Sequence, residues 1–261
     1  MSTNPDAAGA KSSIQVIERM MNLLDALANH SEAVNLKQLA TETALHPSTA
    51  HRILSMMVDS RIVDRVEPGL YRLGIRLLEL GNLVKSRINV RQFALPYMQQ
   101  LREQLDETVN LSVRQGDEIV YVDRTVSSHG MMRVVQIIGA RAPLHITAVG
   151  KLFLLEDGTD AVARYAARTQ LPRYTPNTLA DLPDLARELE RIRRDGFAFD
   201  NEEAEKGVSC IGAGIYDDEG RLVAGLSVSA PSDRLNRAWA ATVKETADQI
   251  SRAIGFRSSS H

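Results

Sequence analysis

Between residues 14 and 58, apolar residues recur three and four apart, which predicts three helices in succession. The first ends near His30 and the second begins at Leu36. A turn over residues 41–45 precedes Pro47, and proline suits the first turn of a helix because its missing N–H has no partner there. The apolar positions of the three helices are Ile14, Ile17, Met20, Met21, Leu24 and Leu27, then Leu36, Leu39 and Ala40, then Ala50, Ile53, Leu54, Met57 and Val58.

The third helix presents a polar face opposite its apolar stripe. Its hydroxyl groups reach phosphates, while an arginine and a histidine donate hydrogen bonds to guanine or phosphate oxygens. This face predicts a helix that reads the major groove of DNA. Helical spacing alone leaves an alternative, an ordinary amphipathic helix pair with a solvated face. The outward residues are Ser48, Thr49, His51, Arg52 and Ser55.

Two β-prone runs follow this helix directly and predict a hairpin. They cover Ile62–Val66 and Leu70–Leu73, on either side of the turn Glu67–Gly69. A hairpin at this place is the wing of a winged helix-turn-helix and argues against the solvated-face alternative. Its arginines are expected to contact the DNA backbone. The expected DNA contacts are Lys37, Pro47, Ser48, Thr49, His51, Arg52, Ser55, Arg65 and Arg72.

The second half of the chain changes to period-two patterning with helices at both ends, which predicts an α+β domain built on an antiparallel sheet. A helix over 74–87 links it to the first half. The expected helices are Arg91–Leu105, Thr147–Leu155, Asp181–Asp195 and Arg234–Phe256. The expected strands are Asn110–Gln115, Ile119–Thr125, Met131–Ile138, Phe197–Asn201, Ser209–Tyr216 and Leu222–Ser229.

Several motifs resemble the IclR family of bacterial transcriptional regulators over about residues 13–255. They are Ser48–Leu54, Tyr71–Gly74 and Leu80–Gly81 in the first half, then Gly139–Lys151, Gly196–Glu203, Gly207–Gly212 and Ala224–Pro231. The resemblance implies an N-terminal winged helix-turn-helix (13–75), a linker helix (76–89) and a GAF/PAS-like effector-binding domain (90–256). Residues 1–12 are predicted to be a disordered tail, and 257–261 form a second tail.

The residue chemistry of the second domain independently indicates a ligand pocket. Ser227 and Ser229 lie two apart on a strand and share a face, with Cys210 on the preceding strand. The helix opening at Thr147–Gly150 offers free N–H groups to an anion, and Asp200 accepts from a ligand hydroxyl. The resemblance assigns ligand contacts to Ala148, Val149, Asp200, Cys210, Ser227 and Ser229, and an apolar wall to Met131, Val134, Ala142 and Val208. It implies a small organic acid as effector, with no cofactor.

Two rival functions use the same residues. Cys210 as nucleophile, His145 as base and Asp200 as orienting group have the types needed for acyl transfer in a hydrolase. The same three side chains suit a metal-responsive regulator, although no closely spaced Cys/His motif is present. We expect neither catalysis nor a bound metal.

Composition restricts the remaining possibilities. At 261 residues with a net charge of −2, the chain favours two domains and excludes a general nucleic-acid coat protein, so any DNA contact is local. Its single cysteine excludes an intramolecular disulfide, and no apolar run approaches the ~20 residues of a membrane span. We expect a cytoplasmic repressor or activator of a catabolic operon. Reading a pseudo-palindromic operator calls for a homodimer through the opening and linker helices, and the resemblance implies that dimers pair into tetramers.

Overall fold

The computed structural model describes residues 6–85, 89–127 and 138–257. The chain divides into two units after residue 87, beside the boundary predicted at 89/90. The first unit contains four helices and three strands among its described residues. These are α1 (Asp6–Ala28), β1 (Val34–Asn35), α2 (Leu36–Glu42), α3 (Pro47–Asp59), β2 (Val63–Glu67), β3 (Leu70–Leu73) and α4 (Ile75–Lys85).

Side-chain caps set where the two short helices begin. Asn35 accepts a hydrogen bond from the backbone N–H of Gln38 at 2.9 Å, which starts α2. His46 caps α3, with Pro47 in its first turn as predicted. The apolar stripes of α1, α2 and α3 meet beneath the wing in one buried core, in which Tyr71 of β3 is 1% exposed.

The wing contains a strand that the sequence patterns do not reveal. β1 pairs with β3, with Val34 opposite Tyr71, so the sheet order is β1-β3-β2. Two residues are too few to show period-two alternation, and only the fold brings Val34 to β3.

Two features at the ends of this unit differ from expectation. The predicted tail over 1–12 is wrong for residues 6–12, because α1 already begins at Asp6. Alanines at 7, 8 and 10 have high helix propensity, and Asp6 suits a helix N-terminus. At the other end, Glu79 of α4 pairs with Arg61 at 3.2 Å and Arg76 at 2.8 Å. The predicted linker helix is therefore joined to the base of the wing.

The second unit is an α+β domain with one antiparallel six-stranded sheet, in the order β6-β5-β4-β9-β8-β7. Its strands are β4 (Thr108–Gln115), β5 (Glu118–Thr125), β6 (Arg141–Pro143), β7 (Ala198–Asn201), β8 (Val208–Tyr216) and β9 (Leu222–Pro231). Its helices are α5 (Val90–Leu105), α6 (Ala148–Asp157), α7 (Thr159–Thr169), α8 (Leu182–Asp195) and α9 (Trp239–Ala253), with a 3-10 turn at Leu144–Ile146 before α6.

The two faces of this sheet differ in polarity. One face is apolar and packs against α5 and α9 through Leu111, Ile211 and Val228. The other carries Asn110, Ser112, Ser227 and Ser229 in its centre, and α6 packs on it where strand glycines leave room. The polar face is the one that bears the predicted ligand contacts.

Two helix predictions need correction, and one strand prediction lies almost wholly outside the described residues. The expected strand Met131–Ile138 lies outside the described residues except for Ile138, which is in a turn, and the strand beside β5 is β6. α7 was not predicted, although Val162 and Tyr165 show helical spacing and are buried. The closing helix begins at Trp239 and not at Arg234, whose guanidinium pairs with Glu107 at 2.8 Å.

Candidate DNA interface and ligand cavity

The outward face of α3 carries the polar residues predicted for it. Ser48, His51 and Arg52 are exposed, while Thr49 and Ser55 are half-buried. The stripe opposite them, Ala50, Ile53, Leu54 and Met57, is buried in the core. Burial of this stripe holds the helix in place and leaves its other side to solvent.

Local hydrogen bonds divide these polar side chains into two groups. The Ser48 hydroxyl lies 2.8 Å from Nδ1 of His46, and the Ser55 hydroxyl donates to the His51 carbonyl at 2.9 Å. Within the described residues, the side chains of His51 and Arg52 have no hydrogen-bond or ion-pair partner. His51 and Arg52 therefore offer free donors on this face.

The other predicted DNA contacts surround α3. Lys37 and Pro47 are exposed at the first turns of α2 and α3. On the wing, Arg72 lies opposite Asp64 and within 3.6 Å of its carboxylate. Arg65 neighbours Asp64 along β2, so the two arginines point to opposite faces of the hairpin.

One exposed residue of α3 was missed. Met56 is 61% exposed and lies one turn beyond Arg52 on the same face. An exposed apolar side chain there can contact a thymine methyl group. Its position four residues after Arg52 was visible in the sequence, but only polar residues were considered for the outward face.

A cavity of about 390 Å³ opens on the polar face of the second unit's sheet. The first turn of α6, the β6 strand and the segment after β7 enclose it. Seven of the ten predicted effector contacts lie among the described residues that line it, namely Ala142, Ala148, Val149, Asp200, Val208, Cys210 and Ser227. Ser229 does not line it, and Met131 and Val134 lie outside the described residues.

The first turn of α6 contributes backbone donors to the cavity. The Thr147 side chain accepts from the Gly150 N–H at 3.1 Å, and the cavity is lined by Ala148 and Val149, whose first-turn N–H groups have no carbonyl partner within the helix. The N-terminal end of a helix also carries partial positive charge. This turn can therefore bind an anion.

Two glycines bring that turn onto the sheet. A Cβ at Gly212 would lie 3.0 Å from the Ala148 side chain, and one at Gly225 would collide with the side chain of Val149. Both positions lie on the polar face, so α6 approaches the strands more closely than a larger residue would permit.

Asp200 is a buried acid on the opposite wall. One of its oxygens accepts from the backbone N–H of Glu203 at 2.7 Å. Burial and the neighbouring charge of Glu203 raise the pKa of Asp200 to about 7. Near neutral pH the side chain therefore exists both as a donor and as an acceptor.

Behind Asp200 lies a buried ion pair. The ammonium of Lys151 lies 2.7 Å from both Glu203 oxygens, and Lys151 is fully buried. A third group, Glu188 of α8, lies 3.7 Å from the same ammonium. The pair joins α6 to the segment that carries Asp200.

Ser229 and Cys210 form a contact beneath the cavity. The Ser229 hydroxyl lies 3.1 Å from Cys210 Sγ and accepts from Nδ2 of Asn110 at 3.1 Å. Cross-strand pairing puts Asp200, Cys210 and Ser229 in one row. Ser227 stands in the next row and reaches the cavity.

Other lining residues were missed because they come from strands and loops whose arrangement in space the sequence does not reveal. Tyr121 of β5 is the largest buried one, and burial, with Cys210 and Asp200 nearby, raises the pKa of its hydroxyl, which stays neutral. The further missed residues are Glu118, Ile119, Ala140, Arg141, Pro143, Ile146, Tyr174, Ala204 and Glu205, while Thr147, which opens the predicted helix, also lines the cavity.

His145 does not join the cavity, which removes the support for both rival functions. Its Nδ1 lies 2.9 Å from the Tyr165 hydroxyl and its Nε2 lies 3.1 Å from the Pro172 carbonyl, so both ring nitrogens are occupied. Burial lowers the pKa of His145. Among the described residues, no three His, Cys, Asp or Glu side chains are grouped to hold a metal ion. The predicted set of Cys210, His145 and Asp200 is thus not assembled.

Each of the two units matches a known protein family. Residues 16–67 match the model of the IclR helix-turn-helix domain, and residues 83–254 match that of the bacterial transcriptional regulator IclR C-terminal domain. The chain belongs to the IclR family. Its members are DNA-binding transcriptional regulators, and this IclR-family chain combines their helix-turn-helix with their C-terminal effector domain.

Individual relatives span nearly the whole chain. An uncharacterized HTH-type transcriptional regulator of Haemophilus influenzae is 35% identical over 250 residues, which is 93% of each chain. The transcriptional repressor AllR of Salmonella typhi is 31% identical over 253 residues, 95% of this chain and 93% of AllR. The crystal structure of the Agobacterium tumefaciens repressor BlcR superposes with a TM-score of 0.83 at 27% identity, covering 94% of this chain and 99% of BlcR.

Within the part of the chain that the structure describes, no helix combines the length and apolar character needed to cross a bilayer.

Proposed function

We propose that this IclR-family regulator is a repressor whose operator binding is controlled by a small organic acid in the cavity of its second unit. The observation that carries the proposal is the first turn of α6. Ala148 and Val149 line the cavity there, and because first-turn N–H groups have no carbonyl partner within the helix, a carboxylate can accept from them in the favourable field of the helix end. Repression follows the names of the relatives AllR and BlcR.

The opposite wall suits the rest of such an acid. Asp200 in its protonated form donates to a ligand oxygen, and in its ionised form it accepts from a ligand hydroxyl. Ser227 adds a hydroxyl group, and Ala142 and Val208 add apolar surface. A volume of about 390 Å³ lies within the range of small-molecule sites.

The DNA-bound form is proposed to be a homodimer on a pseudo-palindromic operator, with pairing of dimers into tetramers. Exposed apolar side chains on α1 and α4 support this, namely Ile17, Met21, Ile75, Leu78 and Leu80. A single winged helix makes few base contacts, and two copies read two half-sites. The acid acts only if it favours one arrangement of the copies or units over another.

We propose a catabolic operon as the target, because the acid would then induce the enzymes that degrade it.

The test is fluorescence anisotropy of the full chain on the DNA upstream of its own gene, against a scrambled duplex of equal length. Titrations at two salt concentrations, each with and without a panel of small carboxylic acids, separate selective from electrostatic binding. Selective binding that one acid weakens supports the proposal. If the protein binds the upstream DNA selectively but no acid changes its affinity, the proposal of an organic-acid effector is contradicted. If it binds both duplexes equally weakly, the upstream DNA is not its operator.

A further inference from the structure

Strand β4 runs beneath the effector cavity, although none of its described side chains lines it. In the sheet order, β4 lies between β5 and β9, which contribute Tyr121 and Ser227 to the wall. Ser112 is paired with Tyr121, and Asn110 with Ser227. Residues directly opposite each other in an antiparallel pair share a face, so Asn110 and Ser112 form the floor between two wall residues.

The floor carries hydrogen-bonding atoms that the described residues do not satisfy. Asn110 and Ser112 are both fully buried, and neither Oδ1 of Asn110 nor the Ser112 hydroxyl has a partner among those residues. The amide nitrogen of Asn110 is engaged by Ser229. Buried polar atoms in native proteins nearly always have partners. The two atoms lie on the strand between the wall residues Tyr121 and Ser227, so a ligand group that enters between these two side chains is what can supply the partner.

We infer that Asn110 and Ser112 form a hydroxyl-binding subsite and that the effector is therefore a hydroxy acid. Its carboxylate binds the first turn of α6, and its hydroxyl binds the floor. The inference rests on the proposed function, since it requires that an acid occupies the cavity. A hydroxyl group both donates and accepts, so it satisfies the Asn110 oxygen and the Ser112 hydroxyl together.

Other substituents fit this floor less well. An apolar group leaves both buried atoms unsatisfied, and a carboxylate cannot donate to the Asn110 oxygen. Arg124 of β5 lies opposite Asn110, so a second carboxylate is the main competitor, with Arg124 as its counterion. The ionised form of Asp200, which is separated from Asn110 by the two strands β9 and β8, disfavours that second negative charge.

The spacing of the subsite favours a short acid. Ser112 is paired with Gly225, on which the Val149 side chain packs, so the floor lies under the same helix end that binds the carboxylate. We expect the preferred hydroxyl to stand within a few carbons of the carboxylate.

Calorimetric titration of the full chain with matched acids tests this. The panel is propionate, lactate, 3-hydroxypropionate, butyrate and its 2-, 3- and 4-hydroxy derivatives, with succinate and malate for the competitor. We expect at least one hydroxy acid to bind about ten-fold more tightly than its parent, which is the effect of one good hydrogen bond to a buried site. This comparison uses the wild-type protein and does not depend on a variant that folds.

Asn110→Leu removes the amide and keeps the approximate size of the side chain. We expect it to reduce the ratio of hydroxy-acid affinity to parent-acid affinity to about two-fold, with Ser112→Ala intermediate. Ser209→Ala is the matched control, because Ser209 is also a buried serine of this sheet. Its neighbour along the strand, Cys210, faces the cavity, so the Ser209 side chain lies on the opposite face of the sheet. It should keep the full preference.

The outcomes separate the two proposals. If no acid binds the wild type, the proposed effector function fails and the inference fails with it. If acids bind but every hydroxy acid equals its parent, or succinate exceeds all of them, the function stands and the hydroxyl subsite is wrong. A preference that survives Asn110→Leu and Ser112→Ala also overturns the assignment to β4.

Discussion

Among the polar side chains of α3, Arg52 is the one best suited to read a base. Its guanidinium is exposed and has no partner among the described residues, whereas the hydroxyls of Ser48 and Ser55 are engaged within the helix. An arginine fork binds the O6 and N7 atoms of guanine with two hydrogen bonds, which a hydroxyl cannot match.

We therefore expect Arg52→Ala to weaken binding to the operator by about 1–3 kcal/mol and to relax the preference at one base position. Fluorescence anisotropy on wild-type and single-base-substituted operators measures both effects. Arg187→Ala is the control, because it removes the same charge from an exposed position on α8 of the second unit. Equal losses in both variants would mean that Arg52 contributes only charge.

Asp200 gives the protein a pH-dependent stability. Its folded pKa of about 7 lies above the ~3.9 of an unfolded aspartate, so the folded state holds the proton more tightly. The contribution to stability is complete below about pH 4 and is lost as the pH rises through 7. Urea unfolding of the ligand-free protein between pH 5.5 and 8.5 should therefore show a declining free energy of unfolding.

Asp200→Asn isolates this effect. Asparagine retains an oxygen for the Glu203 N–H, but it has no proton to lose, so the decline with pH should become smaller. His145, whose pKa is lowered, titrates in both proteins and cancels in the difference, whereas the coupling of Glu203 to Asp200 belongs to the effect that Asp200→Asn removes. Parallel stability curves for wild type and variant would refute the assignment.

Residue-level prediction from sequence succeeded where one strand or helix decides the geometry. The shared face of Ser227 and Ser229 follows from period two alone, but which of them reaches the cavity depends on neighbours from β4 and β8. Tyr121 and the floor residue Asn110 required the strand order, which no local pattern contains.

At the level of elements, the position of α6 depends on Gly225. An added methyl group there would meet Val149, and the first turn of α6 would have to move away from the sheet. We expect Gly225→Ala to lower the free energy of unfolding by about 1–3 kcal/mol and to abolish acid binding. Calorimetry with the acid that wild type binds, together with urea unfolding, measures the two effects.

Gly81→Ala is the matched control, because its added Cβ meets no atom within 4 Å. It should leave acid binding unchanged. Retention of affinity in Gly225→Ala would mean that the first turn of α6 is not where the ligand binds.

Long elements with strong periodicity were predictable from sequence, and short ones were not. α3 and α8 begin and end within a residue of their predicted bounds, because caps and apolar stripes mark them. β1 and β6 have two and three residues, too few to alternate, and exist because a neighbouring strand pairs with them.

For the whole molecule, the exposed apolar residues of α1 predict association. Ile17 is 59% exposed and Met21 47%, on one side of a helix whose other side is core. Ile17→Lys with Met21→Lys should shift the sedimentation coefficient toward that of a monomer and reduce affinity for a full operator by more than ten-fold. Leu182→Lys, an exposed leucine of the second unit, is the control. An unchanged assembly in the double variant would place the contact elsewhere.

The ion pair of Lys151 and Glu203 restricts how this protein can evolve. Loss of Lys151 leaves the buried Glu203 charge uncompensated, at about 3–5 kcal/mol, out of the roughly 5–15 kcal/mol that holds a domain folded, and loss of Glu203 leaves Lys151 only the more distant Glu188. Single substitutions at these positions are therefore strongly selected against, while Ala142 and Val208 on the cavity wall can change size at little risk to folding. Descendants of this chain are expected to diverge in which acid they recognise while they inherit Lys151 and Glu203 together.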